Sequence, residues 1–309
     1  MQMTISAFTM CRNADKLYYP IKESILSALP LVDEFVVAIG KSDDDDRTLE
    51  IIKSIDSDKI KIIETEWDMN VFPNGTVHAQ QTDVAKSHCL GNWLLYLQAD
   101  EVLHEQDHQE IKAACEKHLM DLNIEGFLLQ YHHFWGDYNH VVRSHGWYNE
   151  EIRIIRNIPE IHSWQSAQSF RHITDFDGKS YRAKENTRKL KVKKLNAAIY
   201  HYGWVRPPQI MTAKMNEMDK NHSHKLTQYQ NEFDFGDMGK LSQFYASHPK
   251  VMGERMNMLN WSEDLNFSGR PLERTFKFKH ERLRYRMLSW IENHLFSGKQ
   301  IFRYKNFDD

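Results

Sequence analysis

Apolar positions along the first hundred residues follow two alternating periods. Residues 4–10 form a short apolar-rich run with strand character. Leu17, Ile21, Ile25 and Leu29 then recur every four residues, which predicts a helix. Pro20 stands near its start, where the missing N–H would be unpaired anyway. Residues 34–39 (EFVVAI) form a continuous apolar run, the pattern of a strand buried on both faces. Leu49, Ile52 and Ile55 predict a second helix, and residues 60–63 a third strand. A helix follows over 76–90, with Val77, Val84, Ala85 and Cys89 near a period of 3.6. Residues 93–97 (WLLYL) read as a fourth strand, and Ile111, Ala114, Cys115 and Leu119 mark another helix. Such alternation means βαβ units in a mostly parallel sheet with right-handed connections. Ligands on these sheets bind outside the carboxyl ends of the strands. The loops after Met10, Ile39 and Leu97 are therefore expected on one edge.

After Gly126 the pattern changes. Residues 127–135, 141–142, 151–155 and 197–202 read as short strands separated by loops, predicting a mixed sheet that continues the same domain. From Pro207 the pattern turns helical, with Ile210, Met211, Met215 and Met218 on one face, and a further helix is expected over 283–295. The expected organisation is one half of a domain over 1–125, a second half over 126–206 and a mainly helical extension over 207–309.

Composition narrows the partners. A net charge of -3 argues against nucleic acid as the main ligand. Cys11, Cys89 and Cys115 make neither a disulfide framework nor a metal-site spacing, which fits a reducing, cytoplasmic setting. No basic start precedes an apolar run at the N-terminus, and no stretch is long and apolar enough to span a bilayer, so neither a secretory signal nor a transmembrane segment is expected. The sequon at Asn74 carries no weight in that setting. Residues 270–309 are rich in Lys and Arg. A solvated, ion-paired helix accounts for them, and peripheral contact with an anionic membrane or a lipid-linked acceptor is the alternative. Aromatic residues make up 12% of the chain and His is frequent, as on a Tyr- and His-rich surface or in a carbohydrate cleft where ring faces stack on sugars.

Four segments carry candidate chemistry. WLLYLQADEVLHE (93–105) delivers carboxylates at a strand end, a natural place for Mg²⁺ or Mn²⁺, which keep waters and substrate phosphates in their shells. A plain strand end facing water is the bland alternative. GKSDDDDRTLEII (40–52) places four consecutive aspartates before a helix. Asp46 suits an N-cap, and another carboxylate of the loop could accept from a uracil N–H or a ribose hydroxyl. HGWYNEEIRIIRN (145–157) holds the acidic pair Glu150 and Glu151, which is either a general base or the solvated face of an ordinary strand. IYHYGWVRPP (199–208) supplies His201, which could complete a metal shell, and Arg206, which could contact phosphate. His132, His133 and Trp135 are read as cleft or core residues rather than a zinc site.

The pieces AFTMCRN, DEFVVAIGKSDDDDRTLEII and AKSHCLGNWLLYLQADEVL, in that order, resemble glycosyltransferase family 2. The resemblance covers about the first 105 residues well and the next hundred loosely, and it implies that 1–125 is the nucleotide-sugar-binding half and 126–206 the acceptor-binding half. It implies a GT-A (Rossmann-like) α/β fold with a mostly parallel sheet flanked by helices, a UDP-linked nucleotide-sugar donor, Mn²⁺ or Mg²⁺, and inverting transfer to a saccharide, glycoprotein or lipid-linked acceptor. Carried over by position, Asn13 lies near the donor nucleotide, and the acidic turn falls on 42–46, bringing in Asp43, Asp44 and Asp46. The family's Asp-x-Asp falls on Gln98-Ala99-Asp100, so Asp100 is the implied metal ligand and Gln98 contacts ribose or a metal-bound water. The acidic pair Glu150 and Glu151 matches the family's base. Gln98 in place of an Asp keeps open a non-catalytic, nucleotide-sugar-binding protein.

Overall fold

The computed structural model describes residues 2–222, 232–271, 274, 276–296, 299–301 and 305–308. Its strands and helices, in chain order, are β1 (Ile5–Cys11), α1 (Ile21–Ala28), β2 (Glu34–Gly40), α2 (Thr48–Lys53), β3 (Ile60–Thr65), α3 (Thr76–Ser87) and β4 (Trp93–Tyr96). Next come β5 (Glu101–Leu103), α4 (His108–Lys117), β6 (Gly126–Trp135), β7 (His140–Val141), β8 (Glu150–Arg156), β9 (Ile161–Trp164), β10 (Ser169–Ile173) and β11 (Thr187–Arg188). The remainder are β12 (Leu190–Trp204), α5 (Pro208–Asn221), β13 (Ser242–Gln243), α6 (Gly253–Asn257), α7 (Leu283–Leu295) and β14 (Phe307–Asp308).

The α/β class read from the alternation is what the structure shows. The main sheet runs β13-β7-β6-β8-β4-β1-β2-β3, and β12 pairs with β6, β5 and β14. Strands β3, β2, β1 and β4 are parallel, whereas β8 enters antiparallel between β4 and β6. The period-2 alternation of the buried strands separates two cores. Phe35, Val37, Ile39, Trp93, Leu95 and Leu97 pack on one face, while Val36, Ala38, Leu94 and Tyr96 pack on the other. Helices α1 and α4 contribute Ile21, Ile25, Ile111 and Cys115 to the first core, and α3 contributes Ala85 to the second.

Beyond 207 the described residues hold α5, α6 and α7, the last on the expected 283–295, joined by irregular chain with short helical turns, and β14 returns to the sheet beside β12. The stretches 223–231, 272–273, 275, 297–298, 302–304 and 309 of that segment lie outside the described residues. Among its described residues, Met211, Met215, Phe233, Phe235 and Trp261 pack in one cluster with Phe134, Trp135, Tyr200 and Tyr202 of β6 and β12. A small antiparallel sheet, β11-β10-β9, was not anticipated. No helix among the described residues is long and apolar enough to cross a membrane.

Candidate functional site

The parallel register brings the ends of β1, β2 and β4 to one rim, with Cys11 opposite Ile39 and Phe8 opposite Tyr96. Asn13 holds the first two loops together. It adopts φ 53°, a left-handed conformation that Asn tolerates. Its N–H donates to Ser42 Oγ at 3.0 Å, and its Oδ1 accepts from the Asp43 N–H at 2.8 Å. Arg12 Nε donates to the Lys41 carbonyl at 3.0 Å. These hydrogen bonds tie the first two loops, and the third, through Gln98 and Asp100, joins them in walling a cleft of about 380 Å³. Arg12, Asn13, Gln98, Asp100, His201 and Lys214 are among its walls, together with the rings of Tyr19, Trp67, Trp147, Tyr148 and Trp204.

The aspartate loop serves mostly local ends. Lys16 Nζ lies 3.0 Å from Asp43 and 2.7 Å from Asp45, which offsets the crowding of like charges. Those contacts hold the Asp43 carboxyl below its usual range. Asp46 Oδ1 accepts from the Thr48 N–H at 3.0 Å just before α2, whose N-cap position is Arg47 rather than the expected Asp46. Asp43 and Asp46 line a hollow of about 540 Å³ with Gly40 and Glu64, next to the cleft rather than in it. Asp44 lines neither cavity.

Asp100 sits at the floor of the cleft, only 6% exposed. Strand β12 runs antiparallel to β5 and sets His201 opposite Glu101. This places His201 Nε2 at 3.7 Å and Lys214 Nζ at 3.6 Å from Asp100 Oδ2. Arg206, fully buried beneath, donates to the carbonyls of Leu17 and Gly203 and lies over the Tyr19 ring. Burial pushes the Asp100 carboxyl up, but His201, Lys214 and Arg206 outweigh it and hold it below the usual carboxylate range. Burial, and then the charge of Arg206, pulls the Lys214 ammonium down to about 7.

The hydrogen-bond chain assigns the tautomer of His201. His133 Nε2 lies 2.7 Å from the Tyr148 carbonyl, which can only accept, so that nitrogen donates. Burial lowers both imidazoles from the ordinary histidine range, His133 furthest. His133 Nδ1, 3.0 Å from His201 Nδ1, therefore accepts the His201 proton. His201 Nε2 is left to face the Asp100 carboxylate. Gly203 keeps that corner open: a Cβ there would lie 2.5 Å from Asp100 Oδ2 and 2.6 Å from His201 Nε2. An imidazole nitrogen and a carboxylate oxygen across a gap that only glycine leaves free are a donor set that fits a divalent cation. Among the described residues no third His, Cys, Asp or Glu joins them, and none forms a metal-binding group elsewhere.

Gln98 borders the cleft and donates through Nε2 to the Ala167 carbonyl at 3.0 Å. Its neighbour Glu101 turns away into the protein. Its carboxylate accepts from Arg153 Nε and Nη2, each at 2.8 Å, and from Tyr131 Oη at 2.7 Å. The expected acidic pair does not reach the cleft. Strand alternation puts Glu150 on the side of Ile152 and Val192, where it pairs with Lys194 at 2.9 Å. Glu151 is buried and accepts from Asn306 Nδ2 at 3.5 Å. Neither residue lines the cleft.

Sequence reading missed Lys214, Gly203 and Glu217. The signal for Lys214 was present, since it interrupts the Met face of α5 between Met211 and Met215, where a buried lysine is an anomaly. Glu217 stands one turn further along the same helix and also lines the cleft.

No family model matches the chain, and no curated protein matches its sequence. Solved structures similar to it include S. aureus TarS (TM-score 0.38, 15% identity), which covers 70% of this chain; the chain spans 39% of that protein. Residues 1–349 of TarS in complex with UDP-GlcNAc give a TM-score of 0.36 at 16% identity, covering 74% of this chain and 69% of that one. Glucosyl-3-phosphoglycerate synthase from Mycobacterium tuberculosis, in complex with Mn²⁺, UDP and glucosyl-3-phosphoglycerate, gives 0.29 at 18% identity over 43% and 45% of the two chains.

Proposed function

We propose that this chain transfers a sugar from a nucleoside-diphosphate donor to an acceptor hydroxyl. One observation carries the reading: Asp100, His201 and Lys214 meet at the floor of an aromatic-walled cleft, outside the carboxyl ends of parallel strands. The residues suit the parts of such a donor. Asn13 and Gln98 present amides where a nucleoside would lie, and Trp67, Trp147 and Trp204 offer faces for base and sugar. Lys214 offers an ammonium to the diphosphate, and Arg206 reinforces the positive potential from below. Asp100 and His201 would hold a divalent cation, which when bound supplies Lewis-acid neutralisation of the leaving diphosphate.

Glu150 and Glu151 point elsewhere, so the proton acceptor is assigned to Glu217. It lines the cleft, is partly open to solvent, and stands one turn from Lys214 on α5. Its carboxylate takes the proton of the acceptor hydroxyl as that oxygen attacks the anomeric carbon and the bond to the diphosphate breaks.

The test is UDP binding with Mn²⁺, followed by thermal shift and calorimetry, and then donor turnover. Asp100→Asn should abolish the Mn²⁺-dependent part of UDP binding and lower turnover about 10²–10³-fold. Glu217→Gln should keep UDP affinity and lower turnover about 10²–10⁴-fold. If neither UDP nor another nucleotide shifts the melting temperature at millimolar levels, the proposal fails. UDP binding without turnover by the wild-type chain would favour the non-catalytic alternative.

A further inference from the structure

A second cavity, of about 660 Å³, lies outside the cleft, between the chain following β7, the segment around 235–242, residues 269–271, 274 and 277, and helix α7. Six cationic side chains line it: Arg143, Lys240, Arg270, Arg274, Lys277 and Arg286. Its two acids are already matched, Asp237 by Lys240 at 2.6 Å and Glu281 by Arg274. Arg143, Arg270, Lys277 and Arg286 have no acidic partner among the described residues. His280 adds no charge at neutral pH, because burial lowers it to about 4. Four separate segments thus converge on one concavity with a surplus of positive charge. Like charges gathered in this way repel one another unless an anion lies between them. Three of the four are guanidiniums, whose forked donors match phosphate oxygens.

The cavity adjoins the cleft. Val142, Arg143 and Ser144 wall the cavity, and Trp147 and Tyr148, a few residues on, wall the cleft. The Trp147 ring lies 5.9 Å from that of His280, which faces the cavity. We propose that this cavity binds a phosphate ester, which on the reading above, and resting on it, is the phosphorylated part of the acceptor.

Trp290, 58% exposed in the cavity wall, serves as an intrinsic probe. Inorganic phosphate and glycerol 3-phosphate are titrated into the full chain while tryptophan emission is followed. A saturable change is expected at millimolar concentrations, weakening as salt is raised. Arg143→Gln combined with Arg286→Gln should weaken it at least about tenfold, with UDP affinity unchanged. Arg270→Gln with Lys277→Gln carries the same test if the first pair fails to fold. No saturable response, or equal affinity in a folded double variant, overturns the proposal. Vesicles of phosphatidylglycerol and phosphatidylcholine form the second arm. Binding to the anionic vesicles that glycerol 3-phosphate does not compete away would assign the charge to a membrane surface and likewise overturn it. Failure of the transferase reading is separable: UDP would not bind, while the phosphate response would persist.

Discussion

Gly203 has its effect through an atom it lacks. A methyl group there would sit within 2.6 Å of both Asp100 and His201, closer than carbon approaches such atoms. Gly203→Ala should therefore reduce Mn²⁺ and UDP binding while leaving most of the fold intact, because the crowded atoms belong to the cleft floor. Paired melting curves with and without ligand would check this, and an unchanged ligand shift would remove Gly203 from the site. Lys214 gives the site a pH dependence with a definite sign. Its ammonium is held at about 7, so the charge is present below that value and lost above it. Asp100 is held below the usual carboxylate range and stays ionised throughout. UDP affinity should fall as pH rises through neutrality, and Lys214→Met should flatten the profile. Calorimetry from pH 6 to 9 in both proteins would decide it.

At the scale of elements, the short link from β4 to β5 divides its acids between two tasks. Asp100 faces the cleft, while Glu101 ties β5 to β8 through Arg153, both side chains being wholly buried. Removing one partner strands a charge in a medium that solvates it poorly, so Glu101→Ala should cost about 3–5 kcal/mol. Arg153→Ala should cost a similar amount, and the double variant less than the sum of the two. Urea denaturation of the three variants measures this, and strict additivity would show that the pair is not coupled. The same division explains part of what local reading could not see. The Ala-Asp-Glu run at the end of a strand was legible, yet the fate of each carboxylate depended on which face of a neighbouring strand it met.

At the scale of the whole molecule, the chain closes on itself. Strand β14 pairs with β12, Leu190 opposite Phe307, and Phe307 is buried in the core formed with Val36, Leu94 and Leu128. Phe307→Ala should destabilise the protein by about 3 kcal/mol, a cost that thermal denaturation would register. No loss of stability would mean that the terminal strand does not hold in solution. Strand β12 is the longest of the sheet, and its pairings with β5, β6 and β14 carry His201 to the cleft and the terminal strand to the core.

From the sequence alone, periodicity determined β1 to β4 and α1 to α4 but not the short β5, because a buried strand or helix face is written in neighbours two to four positions apart. It also placed Asn13, Gln98 and Asp100 at the ends of parallel strands, and hence on one rim. The insertion of β8 antiparallel, the turning of Glu150 and Glu151 away from the cleft, and the meeting of Asp100 with His201, Gly203 and Lys214 were decided only by the tertiary structure. These juxtapositions join residues far apart in the chain. They depend on strand order and register, which arise from the packing of all the elements at once and leave no local pattern to read.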